Sequence, residues 1–406
     1  MTGCIALFLF KETSRNAMNN DRKEGYFKEN YVKVFGQRLP HLDTVETFLR
    51  QLPPTCLEEL KAKLISALIE QKVLHKLRLA GKYFTVAIDG TGSASYGEND
   101  AEGSRIHKTS KNGVTTCFHY VVEAKLVTSS GLAISLASEW VTNEPGRNYD
   151  KQDCEQRAFE RLAVKLKKYF PRLPICILAD GLYPNKTFMD ICEKYDWAYL
   201  VVLKDGSLKT LQDDIADTEN RHRRSLQTDH TEAKGKTHIN RRYQWIDLPF
   251  DHSGQVTWWL CCTETVTRYG SDNMPLPKQE PPTRFVWLTN QKVTANNIRQ
   301  LAEAARNRWK IENKGFNTQK NGGYALGHKY SRKSFNSYKN YYQCLQIAHL
   351  INQLAVHSTT IADILMADAK LTIAHLYKQL KSWMTCTIEA GATLDNTPQR
   401  CQIRLR

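Results

Sequence analysis

Two short apolar runs, Tyr83–Asp89 (YFTVAID) and Pro174–Asp180 (PICILAD), each stop at an aspartate followed by glycine. The first alternates and is rich in β-branched and aromatic side chains, which marks a strand carrying a carboxylate at its C-terminal edge. The second is apolar throughout, as a strand covered on both faces must be. Around it the period becomes helical. Asp150–Tyr169 sets Phe159, Leu162, Ala163, Leu166 and Tyr169 on one face, and a helix over Asn185–Tyr195 leads to another buried run, Ala198–Leu203. Strand, helix and strand on short links pair in parallel through a right-handed crossover. Upstream, Thr115–Val127 and Leu132–Val141 are joined by Ser129-Ser130-Gly131, the spacing of an antiparallel hairpin. The order is three antiparallel strands, helix, strand, helix, strand. A sheet that sets the first strand beside the fourth makes Asp89 and Asp180 neighbours.

Residues 1–80 read as a basic helical region, with helices over Leu42–Gln51 and Leu57–Leu79 on either side of Pro53-Pro54. Such a region is a vehicle for DNA binding or a plain scaffold. Its first run, Cys4–Phe10 (CIALFLF), is too short to span a bilayer and lacks a cleavage site, so it reads as a helix that packs on something. Between the first two strands, Tyr96–Gly113 is a polar, Lys-rich loop placed to lie over a ligand. From residue 204 to 283 the parallel logic stops, and β-like segments such as Arg241–Ile246 and Gln255–Thr267 take over. This β-rich insertion carries Arg221, Arg223, Arg224, Lys234, Lys236, Arg241 and Arg242 together with Trp245, Trp258 and Trp259. Two readings stand: a solvated face, or basic and aromatic side chains that grip or wedge nucleic acid.

The interrupted domain, residues 81–203 and 284–357, resumes with a strand at Phe285–Asn290 and a helix over Asn296–Lys320. Thr294 or Asn296 caps that helix; Ile298, Leu301, Ala305, Arg308 and Glu312 line one face of it. An Arg followed one turn later by a Glu is usually a surface pair worth ~0.3–0.5 kcal/mol. The alternative is that Glu312 meets the two strand-end aspartates. Downstream, Gly322-Gly323 breaks the helix, His328–Lys339 is dense in Lys, Arg and Tyr, and further helices span Tyr341–His357 and Ile361–Thr385. The C-terminal region, 358–406, ends in a polar, basic tail.

Lys and Arg number 57 against 42 Asp and Glu, a formal charge of +15 that points to a polyanionic partner. The 11 cysteines include no CxxC pair, which argues against structural zinc, and their scatter fits a reducing cytoplasm. No membrane association and no small-molecule substrate are expected. Asp150, Asp153 and Glu155 read as acids favoured at a helix N-terminus. His107 and His119 read as loop and core histidines, and Trp258 and Trp259 as divided between core and surface.

Two strand-end aspartates and a helix glutamate suit hard divalent cations, which prefer oxygen ligands. Two such ions about 3.5–4 Å apart serve phosphodiester chemistry. The blocks AIDGTG around Asp89, LADGLYPN around Asp180 and RWKIENKGFNTQKN around Glu312 resemble the DDE transposases of bacterial insertion sequences, of the cut-and-paste kind with a β insertion. The resemblance covers roughly 81–354, and DKQDCE (Asp150–Glu155) is similar to a motif of one subgroup. It implies a ribonuclease-H-like mixed five-stranded sheet flanked by helices, with Asp89, Asp180 and Glu312 as catalytic ligands of two Mg2+ ions, for which Mn2+ substitutes. It further implies nicking at transposon ends, strand transfer into target DNA and a synaptic homodimer. Arg308 would hold a phosphate near the cleaved end.

The chain departs from the related signature at two positions. Ala305 stands where a Tyr is expected and Gln319 where a Lys is, with Lys320 adjacent. The short N-terminal region raises the expectation that part of an end-recognition domain is missing. Lys320, Lys329, Arg332, Lys333, Arg241, Arg242 and Trp258 join Arg308 as expected DNA contacts. The rivals are a structure-selective nuclease or resolvase with the same core, and an inactive DNA-binding remnant.

Overall fold

A computed structural model describes residues 1–96, 106–109, 113, 115–141, 151–222, 225–367, 371–387 and 403–405. Most of the loop expected at Tyr96–Gly113, together with Asp150, Arg223, Arg224 and most of the basic tail, lies outside them. So do the side chains of His107, Asp153 and Arg221.

The chain opens with helices α1 (Thr2–Leu9), α2 (Arg15–Asp21), α3 (Phe27–Phe35), α4 (Leu42–Gln51) and α5 (Pro54–Glu70). α1 is the packing helix expected of CIALFLF, with Cys4, Ala6, Leu7 and Phe8 buried. α5 stops at Glu70, short of the expected Leu79. Lys72 takes a left-handed φ of 60°, which an α-helix of L-residues does not accommodate, and a 3-10 turn at His75–Leu77 follows.

Next come β1 (Phe84–Tyr96), β2 (Ile106–Thr109), β3 (Thr115–Val127), β4 (Ala133–Val141), α6 (Lys151–Tyr169), β5 (Ile175–Ala179), α7 (Lys186–Lys194) and β6 (Ala198–Val202). The β-rich stretch holds α8 (Lys209–His222), β7 (Ser225–Lys234), β8 (Thr237–Ile246), β9 (Phe250–His252) and β10 (Gln255–Arg268). β11 (Thr283–Thr289) then leads to α9 (Ile298–Arg306), α10 (Asn317–Asn321), α11 (Phe335–His357), α12 (Thr359–Ala367) and α13 (Ile373–Thr385). α8 was not expected. Its sequence is polar and offers Leu211 and Ile215 as buried anchors, too few to register as periodicity. The single helix expected over Ile361–Thr385 is two.

The fold is a mixed α/β architecture with a large mixed sheet flanked by helices. Strand order is β2-β3-β1-β5-β6-β11-β10-β8-β7, with β4 on β3 and β9 on β10. β1, β5 and β6 pair in parallel, as the crossovers require, and β1, β3 and β4 are antiparallel. Among the described residues the sheet is larger than five strands. β11 pairs with β6 on one edge and β10 on the other, so β10, β8 and β7 extend the same sheet.

Alternation along the central strands divides two cores. Val86, Ile88, Ile175 and Ile177 face Phe159, Leu162 and Leu166 of α6 and Phe188 of α7. Ala87, Cys176, Leu178 and Leu200 join Ile298, Leu301, Ala302 and Ala305 of α9. The N-terminal helices share a third cluster with Tyr96, Val121, Trp140 and α11. No helix among the described residues is long and apolar enough to cross a membrane.

A buried ionic network pins β3 and β4 to α5 and α11. Glu123 accepts from the Tyr342 hydroxyl at 2.7 Å and lies 3.4 Å from Lys125 Nζ. Lys125 donates to Gln346, and Lys61 to Ser135. Burial opposes ionisation of Glu123, yet Lys125 and Lys61 hold its carboxyl below the usual range. Burial lowers Lys125 to about 8, against the pull of Glu123. Removing one member strands the others in the interior, so Glu123→Ala is expected to lower the unfolding free energy in urea by about 3–5 kcal/mol. A loss below about 1 kcal/mol would show the network to be dispensable.

Candidate active site

The register between β1 and β5 runs from Phe84↔Ile175 to Ala87↔Leu178. Asp89, still within β1, and Asp180, one residue past the end of β5, each follow that last pair by two residues. β1 does not stop at Asp89 as the sequence suggested. It continues against β3 to Tyr96↔Cys117 while its pairing with β5 ends, so Asp89 sits where the sheet forks.

Neither Asp-Gly step is a turn that needs a left-handed glycine; each serves close approach. A Cβ on Gly90 would lie 2.5 Å from the Tyr120 hydroxyl, and one on Gly181 would collide with the Lys204 side chain. The glycines let two neighbouring side chains fold down beside the acids.

The third acid arrives from the chain after α9. Asn297, not the expected Thr294 or Asn296, holds the N-cap position of α9, and its side chain accepts the Thr294 N–H rather than a helix N–H. The expected single helix then tightens into a 3-10 turn at Asn307–Trp309 and widens into a π-helix at Ile311–Phe316, a local feature common at functional sites. Within it Glu312 bonds to Asp89, and Arg308 Nη1 lies 3.6 Å from Asp89 Oδ2 and 3.4 Å from Glu312 Oε1. Arg308 therefore clamps two acids, beyond the surface pair its spacing alone implies. Burial and the hydrogen bond to Glu312 raise the Asp89 pKa to about 7, against the lowering pull of Arg308 and the Gly90 N–H.

Asp180 Oδ1 accepts the Leu182 N–H at 2.9 Å, and Lys204 Nζ lies 3.4 Å from Oδ2. Sequence reasoning missed Lys204, which stands two residues past the end of β6. It read Glu155 as an acid favoured at a helix N-terminus, and Glu155 does lie near the start of α6. Glu155 is buried and accepts a hydrogen bond from Tyr120. Burial first, then Glu155, Asp180 and Asp89, raise the buried Tyr183 hydroxyl well above its ordinary pKa.

Among the described residues, no group of three or more His, Cys, Asp or Glu side chains stands ready to hold a metal ion. Asp89 and Glu312 turn to Arg308, and Asp180 to Lys204, so two cationic side chains counter the acids. The donor set is nevertheless of the kind a hard cation takes, carboxylate oxygens from Asp89, Asp180 and Glu312.

The expected DNA contacts divide. Arg241 is spent within the sheet on Glu232 at 3.0 Å and Glu264 at 2.8 Å, because β7 and β10 place acids across from it. Arg242 pairs with Asp229 at 3.1 Å but stays exposed. Trp258 is partly buried against the α9 core, with Lys292 Nζ 5.8 Å from its ring. Gln319, at the signature Lys position, is buried and bonds Gln346 and His349. Lys320 is exposed, about 100° further round α10. Arg332 and Lys333 are exposed, and Lys329 lies over the Tyr96 ring.

No family model and no curated protein matches this chain. Among solved structures, a cryo-EM structure of a piggyBac transposase synaptic complex with hairpin DNA matches 78% of this chain and 61% of its own, at 8% identity and a TM-score of 0.33. The chain thus spans less than two thirds of that neighbour's length.

Because Tyr120 occupies the space beside Gly90, Gly90→Ala should lower the unfolding free energy by about 1–3 kcal/mol. An unchanged urea midpoint would mean that the ring moves aside without cost.

Proposed function

We propose that this protein is a divalent-metal-dependent DNA transposase of the DDE kind, built on a ribonuclease-H-like core. The observation that carries the reading is the meeting of Asp89 with Glu312 beside the strand end that bears Asp180. The order β4-β3-β1-β5-β6, three antiparallel strands followed by two parallel ones, supports the core assignment. The +15 charge supports a DNA partner.

Asp89, Asp180 and Glu312 would hold two Mg2+ ions, or Mn2+, which would supply charge stabilisation for phosphodiester cleavage and transfer. Arg308, poised between Asp89 and Glu312, supplies a planar pair of donors suited to a phosphate oxygen. Lys204 balances Asp180, and Tyr120, bonded to Glu155, packs over Gly90 next to Asp89. Transposon ends and target DNA are the substrates, and a homodimer is the assembly.

Asp89→Asn, Asp180→Asn and Glu312→Gln should each remove Mn2+-dependent nicking of plasmid DNA, yet retain DNA binding, whose affinity resides in phosphate contacts. Retained nicking in a variant would remove that residue from the mechanism. Calorimetry decides against the inactive remnant: the unmodified chain should take up Mn2+, and a remnant should not. Joining of pre-cut ends separates a transposase from a nuclease.

A further inference from the structure

Away from the acids, a cleft of about 680 Å3 opens between the N-terminal helices and the segment that links α10 to α11. Arg15, Arg50, Lys329, Arg332 and Lys333 line it, against Asp43 and Glu46. Both acids are already satisfied. Asp43 lies 3.0 Å from Arg15, and the buried Glu46 accepts from Ser331 at 2.7 Å, Ser337 at 2.8 Å and Arg50 at 3.2 Å. Arg332 and Lys333 are exposed and form no ion pair among the described residues. Five cationic side chains thus line the cleft against two acids, both already bonded; burial, then Arg15 and Arg332, push the His328 pKa below its ordinary value.

Position gives the excess a direction. Lys329 Nζ lies 4.9 Å from the ring of Tyr96, which ends β1, and Asp89 lies seven residues back on that strand. At about 3.3 Å per residue the separation is roughly 20 Å, or about six base pairs of duplex.

We propose that this cleft is a second seat for the phosphodiester backbone of DNA, engaged by Arg332 and Lys333 and shared between the N-terminal helices and the sheet domain. That the same duplex also reaches the acids rests on the function proposed above. Guanidinium forks favour phosphate, and Arg50 is braced by Glu46 from behind, so ordered donors face an open, anion-poor space.

The test uses the full chain and a fluorescein-labelled 24-base-pair duplex, with anisotropy titrations between 50 and 200 mM NaCl. Arg332→Gln with Lys333→Gln should flatten the slope of log K against log salt by about 1.8, since each lost phosphate contact removes about 0.9. Arg332→Lys with Lys333→Arg should keep the slope. An unchanged slope in the Gln pair overturns the proposal. So does unchanged DNA binding accompanied by lost binding of a polyglutamate peptide, which would make the cleft a seat for an acidic protein. Mn2+ calorimetry on the same variants keeps the two readings apart. A flattened slope without Mn2+ uptake upholds the cleft and removes the catalytic reading; Mn2+ uptake with an unchanged slope does the reverse.

Discussion

The parallel pairing of β1 with β5 is the constraint from which the rest of the site follows. It brings together two stretches that lie far apart along the chain, and Asp89 and Asp180 each follow its last residue pair by two positions. Once that register is set, the face opposite α6 and α7 is left for α9. The turns after α9 then bring Glu312 to Asp89. The apolar sides of β1 and β5 enforce the register, because a one-residue slip of either strand would turn its own aspartate and apolar side chains to the opposite face.

Placing like charges together has a cost that the surrounding chain offsets with cations. Arg308 stands against Asp89 and Glu312, and Lys204 against Asp180. A charge cluster recurs at β3, where Glu123 has Lys125 as its ion-pair partner and Lys61 as a second cation, but there all three side chains are buried. The two clusters differ in accessibility. The network at β3 is sealed and ties helices to the sheet, whereas the acids at the fork and their Arg308 partner are partly open to solvent.

Much of this was legible in the residues. Thr115–Val127 and Leu42–Gln51 fall on their elements to the residue, and the two Asp-Gly steps marked the ends of the central pairing. Long apolar or strictly periodic segments announce themselves because burial imposes their pattern. What failed had a local cause. α8 shows two apolar anchors in fourteen residues, and the glycine after Asp89 looked like a turn while in fact making room for a ring. The change from 3-10 to π geometry around Arg308 left no mark in the period, since spacings of three, four and five residues blur over so short a stretch.

Sequence alone determined the α/β alternation, the cationic balance and the identity of the acids, because these follow from residue type and nearest neighbours. Tertiary structure decided which charges are engaged and which remain available. Arg241 and Arg332 read alike in the chain, but one lies across a sheet from two glutamates and the other at the rim of a cleft whose acids are already bonded. The Coulomb term falls off over a few ångströms, so the partner of a charge is set by three-dimensional proximity that no one-dimensional pattern encodes.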